Sequence, residues 1–161
     1  MITIYHCDDT SSLSKWQVVN DGVMGGLSKG KMSADPDGNC QFSGNISLEN
    51  NGGFSMVRYR TDLSRLPDHF RQFEIMIKGD GRQYQFRVKS VLDQRHSYGF
   101  YFNSKHDWQK VVIPFEKLIP IFRGNQLNLP KYQGKSLQEV AFLAGKTPGR
   151  FNLKIQELNV L

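Results

Sequence analysis

Arg82-Gln83-Tyr84-Gln85-Phe86-Arg87-Val88-Lys89 is the stretch whose reading decides the fold class. Tyr84, Phe86 and Val88 fall at one parity, and Gln85, Arg87 and Lys89 at the other. Successive side chains on a strand point to opposite faces, so the segment reads as a strand with one buried face and one face toward solvent or a groove. Phe73, Ile75 and Ile77 repeat the alternation upstream, and the turn sequence Gly79-Asp80-Gly81 between the two suggests a hairpin.

Working outward, the same test marks strands over 2–6, 16–19, 27–33, 39–48, 54–60, 96–103, 108–113, 137–144 and 150–160. No window keeps a helical i, i+3, i+4 stripe. In 150–160, Phe151, Leu153 and Ile155 share one parity while Leu158 and Val160 take the other, which predicts a bulge near Gln156-Glu157. Residues 114–120 have room for one helical turn, and 123–136, with Gly124, Pro130 and Gly134, reads as a long loop. No linker or repeat divides the chain. The expectation is one all-β domain over residues 1–161, a two-sheet antiparallel jelly-roll sandwich in which both terminal strands take part. A closed barrel is the alternative.

Composition supports a packed core. Hydrophobic residues make up 39% of the 161 and aromatics 12%, with 11 phenylalanines. Cys7 and Cys40 are too few and too far apart for a CxxC pair or a zinc knuckle, and are expected as buried thiols. Met1–Asp9 shows neither a basic, apolar leader nor an Arg-rich one, so the expected compartment is the cytoplasm. No apolar run approaches the roughly 18 residues of a membrane span. Residues 1–80 carry 8 basic against 10 acidic side chains, and residues 81–161 carry 13 against 5. The second half therefore supplies the basic surface, suited to nucleic acid, an anionic membrane or an acidic protein.

Catalysis would need a nucleophile, a base and an orienting group, and no known spacing for such a set is present. The chain shows no HExxH, no P-loop, no GxSxG elbow at a strand-to-helix turn and no GxGxxG placed between a strand and a helix, so no catalytic residue and no cofactor are predicted. His6, His69, His96 and His106 show no metal-ligand spacing, and His6-Cys7-Asp8-Asp9 reads as a strand end and turn. Asn45-Ile46-Ser47 matches a glycosylation sequon that recurs by chance. Asp21, Glu49, Asp80 and Asp107 lie near Gly-rich turns, where carboxylates accept backbone N–H bonds.

The most unusual stretch is Trp16 to Ser28, with Gly22, Gly25 and Gly26 close to an aromatic. Such a loop either packs tightly against Trp16 or presents free amides to a ligand. The run Asp21-Gly22-Val23-Met24-Gly25-Gly26 after Trp16 resembles the N-terminal signature of the complex I intermediate-associated protein 30 family. The resemblance continues through Phe42-Ser43-Gly44, Asn51-Gly52-Gly53-Phe54, Val57-Arg58 and Lys78 to Tyr84. It then reaches Trp108, Val112 to Phe115, Phe122-Arg123-Gly124 and Gly149 to Leu153, nearly the whole chain in order.

That resemblance implies a galactose-binding-like jelly roll acting as a non-catalytic, protein-binding assembly factor or chaperone. Its partners would be respiratory-complex subunits or other assembly factors. Two rivals stand beside it. A carbohydrate-binding module would use aromatic platforms drawn from Trp16, Trp108, Tyr84 and Tyr101. An RNA-binding surface would use Arg82, Arg87, Lys89, Arg95, Lys105 and Lys110 interleaved with Tyr84, Tyr98 and Tyr101. The expected partner surface joins the loop residues Trp16, Asn20, Asp21, Gly25, Gly26 and Ser28 to Gly53, Phe54 and Arg58. Asp80, Arg82, Tyr84 and Arg123 complete it. The competing reading pairs Asp21 and Asp80 with these arginines inside the protein.

Overall fold

The computed structural model describes residues 1–8, 10–24 and 26–161 and gives two antiparallel sheets packed face to face. With strands numbered in chain order, the first sheet runs β3 (Lys29–Ala34), β4 (Cys40–Ile46), β13 (Gly149–Val160), β6 (Gln72–Lys78) and β9 (Trp108–Pro114). Strand β1 (Ile2–His6) pairs with the second half of β13. The second sheet runs β11 (Asn125–Gln126), β10 (Ile119–Phe122), β8 (Ser97–Asn103), β7 (Gln83–Lys89), β12 (Leu137–Gly145), β5 (Phe54–Leu63) and β2 (Trp16–Asn20). The all-β reading and the terminal strands stand as predicted.

The core lies between the sheets and is built by the predicted parity. Tyr84, Phe86 and Val88 are buried on β7, and Phe73, Ile75 and Ile77 on β6. The rings of Phe73 and Phe86 meet across the sandwich at 5.4 Å between centroids. Each such side chain removed from water contributes about 1.5–3 kcal/mol. Trp16 is also core, in a cluster with Tyr5 at 5.0 Å and Tyr59 at 5.3 Å.

Four expectations are corrected. Residues 73–77 and 82–89 do not form a hairpin, because β6 pairs with β13 and β9 while β7 pairs with β12 and β8. The segment between them is a corner from one sheet to the other. Its polar groups are satisfied by residues distant in sequence: Gly79 N–H donates to Lys105 O at 2.9 Å and Asp80 N–H to Ser104 Oγ at 3.3 Å. Tertiary partners thus replace the cross-strand bonds of a two-residue turn.

Residues 119–126, expected as the end of a helical turn and the start of a loop, carry β10 and β11. Pro120 disguises β10, since a proline argues against a strand wherever its missing donor matters. The 3-10 turn falls just before β10, at Phe115–Lys117, near its expected place, but helical turns are not confined there. Short 3-10 segments also occupy Thr10–Lys15, Asp21–Met24 and Glu49–Asn51.

Cys7 and Cys40 are not thiols. They form a disulfide with their Cα atoms 6.0 Å apart. Strand pairing brings them together: β1 and β4 both pair with β13, and Cys7 N–H donates to Gln156 O at 2.9 Å, setting Cys7 beside the start of β4. The bulge near Gln156 is present, as a register shift between Ile155 and Glu157.

Candidate functional site

The Gly-rich loop and the Asn51-Gly52-Gly53-Phe54 turn do converge, around a single internal carboxylate. Asp21 is 1% exposed and accepts N–H bonds from Ser28 at 2.9 Å, Gly53 at 2.6 Å and Phe54 at 3.2 Å. Burial pushes its pKa up, but these bonds outweigh that, and the group sits below its ordinary value of 3.8. Glycine is required at the contact. A Cβ on Gly26 would lie 2.3 Å from the Asp21 carboxyl carbon, and one on Gly52 would lie 2.5 Å from an oxygen. Asn20 Oδ1 accepts from Gly30 N–H at 3.1 Å and from Ser55 Oγ at 2.6 Å, and Ser28 Oγ is bonded to Ser47. These residues are a fixed frame; Gly25 lies outside the described residues.

The third expected segment is likewise internal. The Asp80 carboxylate accepts from Asn152 N–H at 2.8 Å, from the Tyr84 hydroxyl at 3.0 Å and from Arg82 N–H at 3.1 Å. Burial and the Asp80 charge hold the Tyr84 hydroxyl far above the ordinary tyrosine range. Arg82 donates to the carbonyls of Arg150, Thr147 and Pro148, at 3.0, 2.7 and 3.1 Å, and its Nε lies 3.9 Å from Asp80. Arg82 therefore clamps the β12–β13 turn, and the surface expected to join it with Arg58 and Arg123 is not formed. Internal Asp–Arg pairing holds for Asp80 alone, because Asp21 is bonded to backbone amides.

Arg58 and Arg123 instead meet elsewhere, on the outer face of the second sheet. There a cavity of about 220 Å³ is lined by Arg58, Arg87, Lys89, Arg95 and Arg123, with Glu139 as its one carboxylate. Strand register builds it. Arg58 on β5 and Arg87 on β7 both stand opposite Ala141 on the strand between them, and Gly99 lies beyond Arg87. The two small residues leave room above the sheet.

Beneath them, Gln85 is 2% exposed and accepts from Arg87 Nε at 2.6 Å. A Cβ on Gly99 would lie 2.6 Å from Gln85 Nε2, so that glycine lets the Gln85–Arg87 pair lie flat. Burial lowers the pKa of the Arg87 guanidinium. Arg58 Nε donates to Gln17 Oε1 at 3.0 Å and stands 3.9 Å from Glu139. Exposed Arg123, at φ 50°, places its guanidinium 5.2 Å from the centre of the Phe122 ring.

A second cavity on this face, about 530 Å³, is lined by Gln83, Gln85, Tyr101, Leu143, Gly145 and Lys146 among others. Lys146 Nζ lies 4.6 Å from the centre of the Tyr101 ring. The remaining aromatics proposed as platforms lie apart: Trp16 and Tyr84 are core, and Trp108 is on edge strand β9 of the other sheet. Among the described residues no group of three or more His, Cys, Asp and Glu side chains is arranged to hold a metal ion. No helix among them is long and apolar enough to cross a membrane.

The family model for complex I intermediate-associated protein 30 matches residues 5–155. The chain belongs to that family. No curated protein sequence matches it. Solved structures share the fold of this family member at low identity. One is the family 11 carbohydrate-binding module from Clostridium thermocellum in complex with a β-1,3-1,4-mixed-linked tetrasaccharide. It has a TM-score of 0.65 and 15% identity, over 98% of this chain and 96% of that one. Another is the family 30 carbohydrate-binding module of the cellulosomal cellulase Cel9D-Cel44B of the same organism, with a TM-score of 0.59 and 13% identity, over 99% and 95% of the two chains. These likenesses show the jelly-roll sandwich fold.

Of the cavity residues, Arg58 and Arg123 were singled out from sequence for a partner surface, and Arg87, Lys89 and Arg95 for RNA. Glu139 was missed. Its signal is a carboxylate in an otherwise apolar run, Val140-Ala141-Phe142-Leu143, but its place opposite Lys89 and Arg60 depends on a register fixed only by the fold.

Proposed function

We propose that this family member is a non-catalytic binding domain, that its site is the outer face of the second sheet, and that its partner is a protein presenting an acidic surface. The observation that carries this is the cavity lined by five cationic side chains and one carboxylate. Guanidinium groups set side by side repel one another and lose hydration, and carboxylates from a partner offset both costs. The family's description associates its members with intermediates of complex I, which makes respiratory-complex subunits or their assembly factors the first partners to test. Affinity capture with the intact chain and with an Arg58→Ala/Arg123→Ala variant is that test. Subunits retained by the first and lost by the second support the reading, and equal retention by both overturns it.

Carbohydrate binding is the second reading, favoured by structural neighbours that are themselves carbohydrate-binding modules. Against it, Lys146 stands over the Tyr101 ring and Arg123 over the Phe122 ring, leaving neither as an open platform for a neutral sugar. A glycan panel with no response discards it. The RNA reading loses two of its three stacking partners, since Tyr84 is core and the Tyr98 ring packs inward, 5.4 Å from Tyr132, while the exposed third, Tyr101, carries Lys146 over its ring.

A further inference from the structure

We infer that the cavity bounded by Arg58, Arg87 and Arg123 is a subsite for a phosphate-class oxyanion, presented as a phosphorylated side chain of a protein partner; this rests on the reading of that face as a protein-binding surface. Charge is the first argument. Five cationic side chains and one carboxylate line the cavity, and Glu139 reaches only to 3.9 Å from Arg58 Nε, beyond hydrogen-bond distance. A carboxylate from a partner neutralises one charge. A phosphate monoester carries about −1.5 to −2 at neutral pH and offers three strong acceptor oxygens, which fits a cavity with this surplus better.

Geometry is the second. Arg58 and Arg87 stand on either side of Ala141, two strand spacings apart, so their Cα atoms are separated by about 10 Å. Ala141 presents only a methyl between them, and both arginines line the one cavity above it. Arg87 is held in place, because its Nε is bonded to Gln85, which is buried with its amide against the open face of Gly99. Among the described residues Arg87 makes no ion pair and no other side-chain hydrogen bond, so its Nη groups remain as donors. A guanidinium fixed through one edge, half-buried and lacking a carboxylate, is pre-organised for a planar, bidentate contact with an oxyanion.

Size is the third. At about 220 Å³ the cavity takes one charged head group and not a secondary-structure element, so it acts as an anchor point within a larger contact.

The test titrates inorganic phosphate, phosphoserine, sulfate and glutamate into the isotope-labelled full chain, following the arginine Nε–H signals by NMR. Saturable shifts at Arg87 and Arg58 with phosphate and phosphoserine are expected, with affinity at least five-fold tighter at pH 7.5 than at pH 5 as the second phosphate proton leaves near pH 6. Glutamate should bind at least five-fold more weakly. Arg87→Gln should abolish the shifts at Arg58. In case that variant fails to fold, Arg123→Ala, at an exposed position, should weaken phosphate at least three-fold. Absence of saturable shifts, or equal affinity for glutamate, overturns the proposal. A captured partner treated with phosphatase separates the sources: a five-fold loss of capture places the phosphate on the protein. Undiminished capture means that acidic side chains suffice, so the phosphate inference fails while the binding reading survives. If phosphate binds and no protein is captured through this face, the binding reading fails and the phosphoprotein assignment fails with it.

Discussion

The Asp80 carboxylate accepts the backbone N–H of Asn152 at 2.8 Å, and through that bond the corner between the two sheets is fastened to β13, the central strand of the first sheet. The same carboxylate holds Tyr84 and Arg82. Asp80→Ala would leave the Asn152 amide and the largely buried Tyr84 hydroxyl without their acceptor. A loss of about 2–4 kcal/mol is expected, since each buried polar group left unpaired costs about 1–3 kcal/mol. Urea denaturation checks this, and a change below about 0.5 kcal/mol would remove Asp80 from the corner's support.

Asp21 ties stability to pH. Its folded pKa lies below the ordinary 3.8, so its contribution is fully present above the unfolded value and is lost as the pH falls from there through the folded one. Asp21→Asn should be less stable at pH 7 by about 1–3 kcal/mol. It should also lose stability less steeply than the parent between pH 4 and pH 2. Parallel curves for the two proteins would contradict the assignment.

The Cys7–Cys40 disulfide closes a loop between residues 33 apart in sequence and joins the end of β1 to the start of β4. Loops of this length imply a stabilisation of about 2–4 kcal/mol. Reduction with a strong thiol, or Cys7→Ser with Cys40→Ser, should lower the urea midpoint accordingly. Thiol titration of the unfolded native protein should find no free cysteine before reduction. Two reactive thiols would return the pair to the state expected from sequence.

How much was legible follows from which interactions decide each feature. The strands were legible because burial imposes period two on Tyr84, Phe86 and Val88, and the bulge in β13 because Leu158 breaks the parity of Ile155. Pairing was not. Gly79-Asp80-Gly81 has the composition of a hairpin turn, yet the bonds that settle its path go to Ser104, Lys105 and Asn152, which no local pattern announces. The site divides the same way. Glycines at positions 26, 52 and 53 signal a close backbone approach, and the structure supplies it, but the object approached is Asp21 within the chain. The cationic cavity depends on Arg58, Arg87 and Arg123 coming from three strands or their ends, a juxtaposition set by register.

Gly99 offers a further check on the outer face, because it supports the cavity without adding charge to it. A Cβ there would lie 2.6 Å from Gln85 Nε2 and 2.9 Å from Ile121 Cδ1, closer than either neighbour tolerates unmoved. Gln85 is fully enclosed and carries the bond that positions Arg87, so the displacement passes directly to that guanidinium. Gly99→Val should cost about 1–3 kcal/mol through overpacking. It should also weaken partner capture several-fold, although it removes no cation. Arg123→Ala provides the contrast: exposed, with its guanidinium over Phe122, it should shift stability by no more than about 0.5 kcal/mol while weakening capture by a similar factor. Capture by the parent protein should fall steeply between low and physiological salt, and the Arg123→Ala protein should show a shallower slope. Identical salt slopes for the two would mean that the contact does not use this charge.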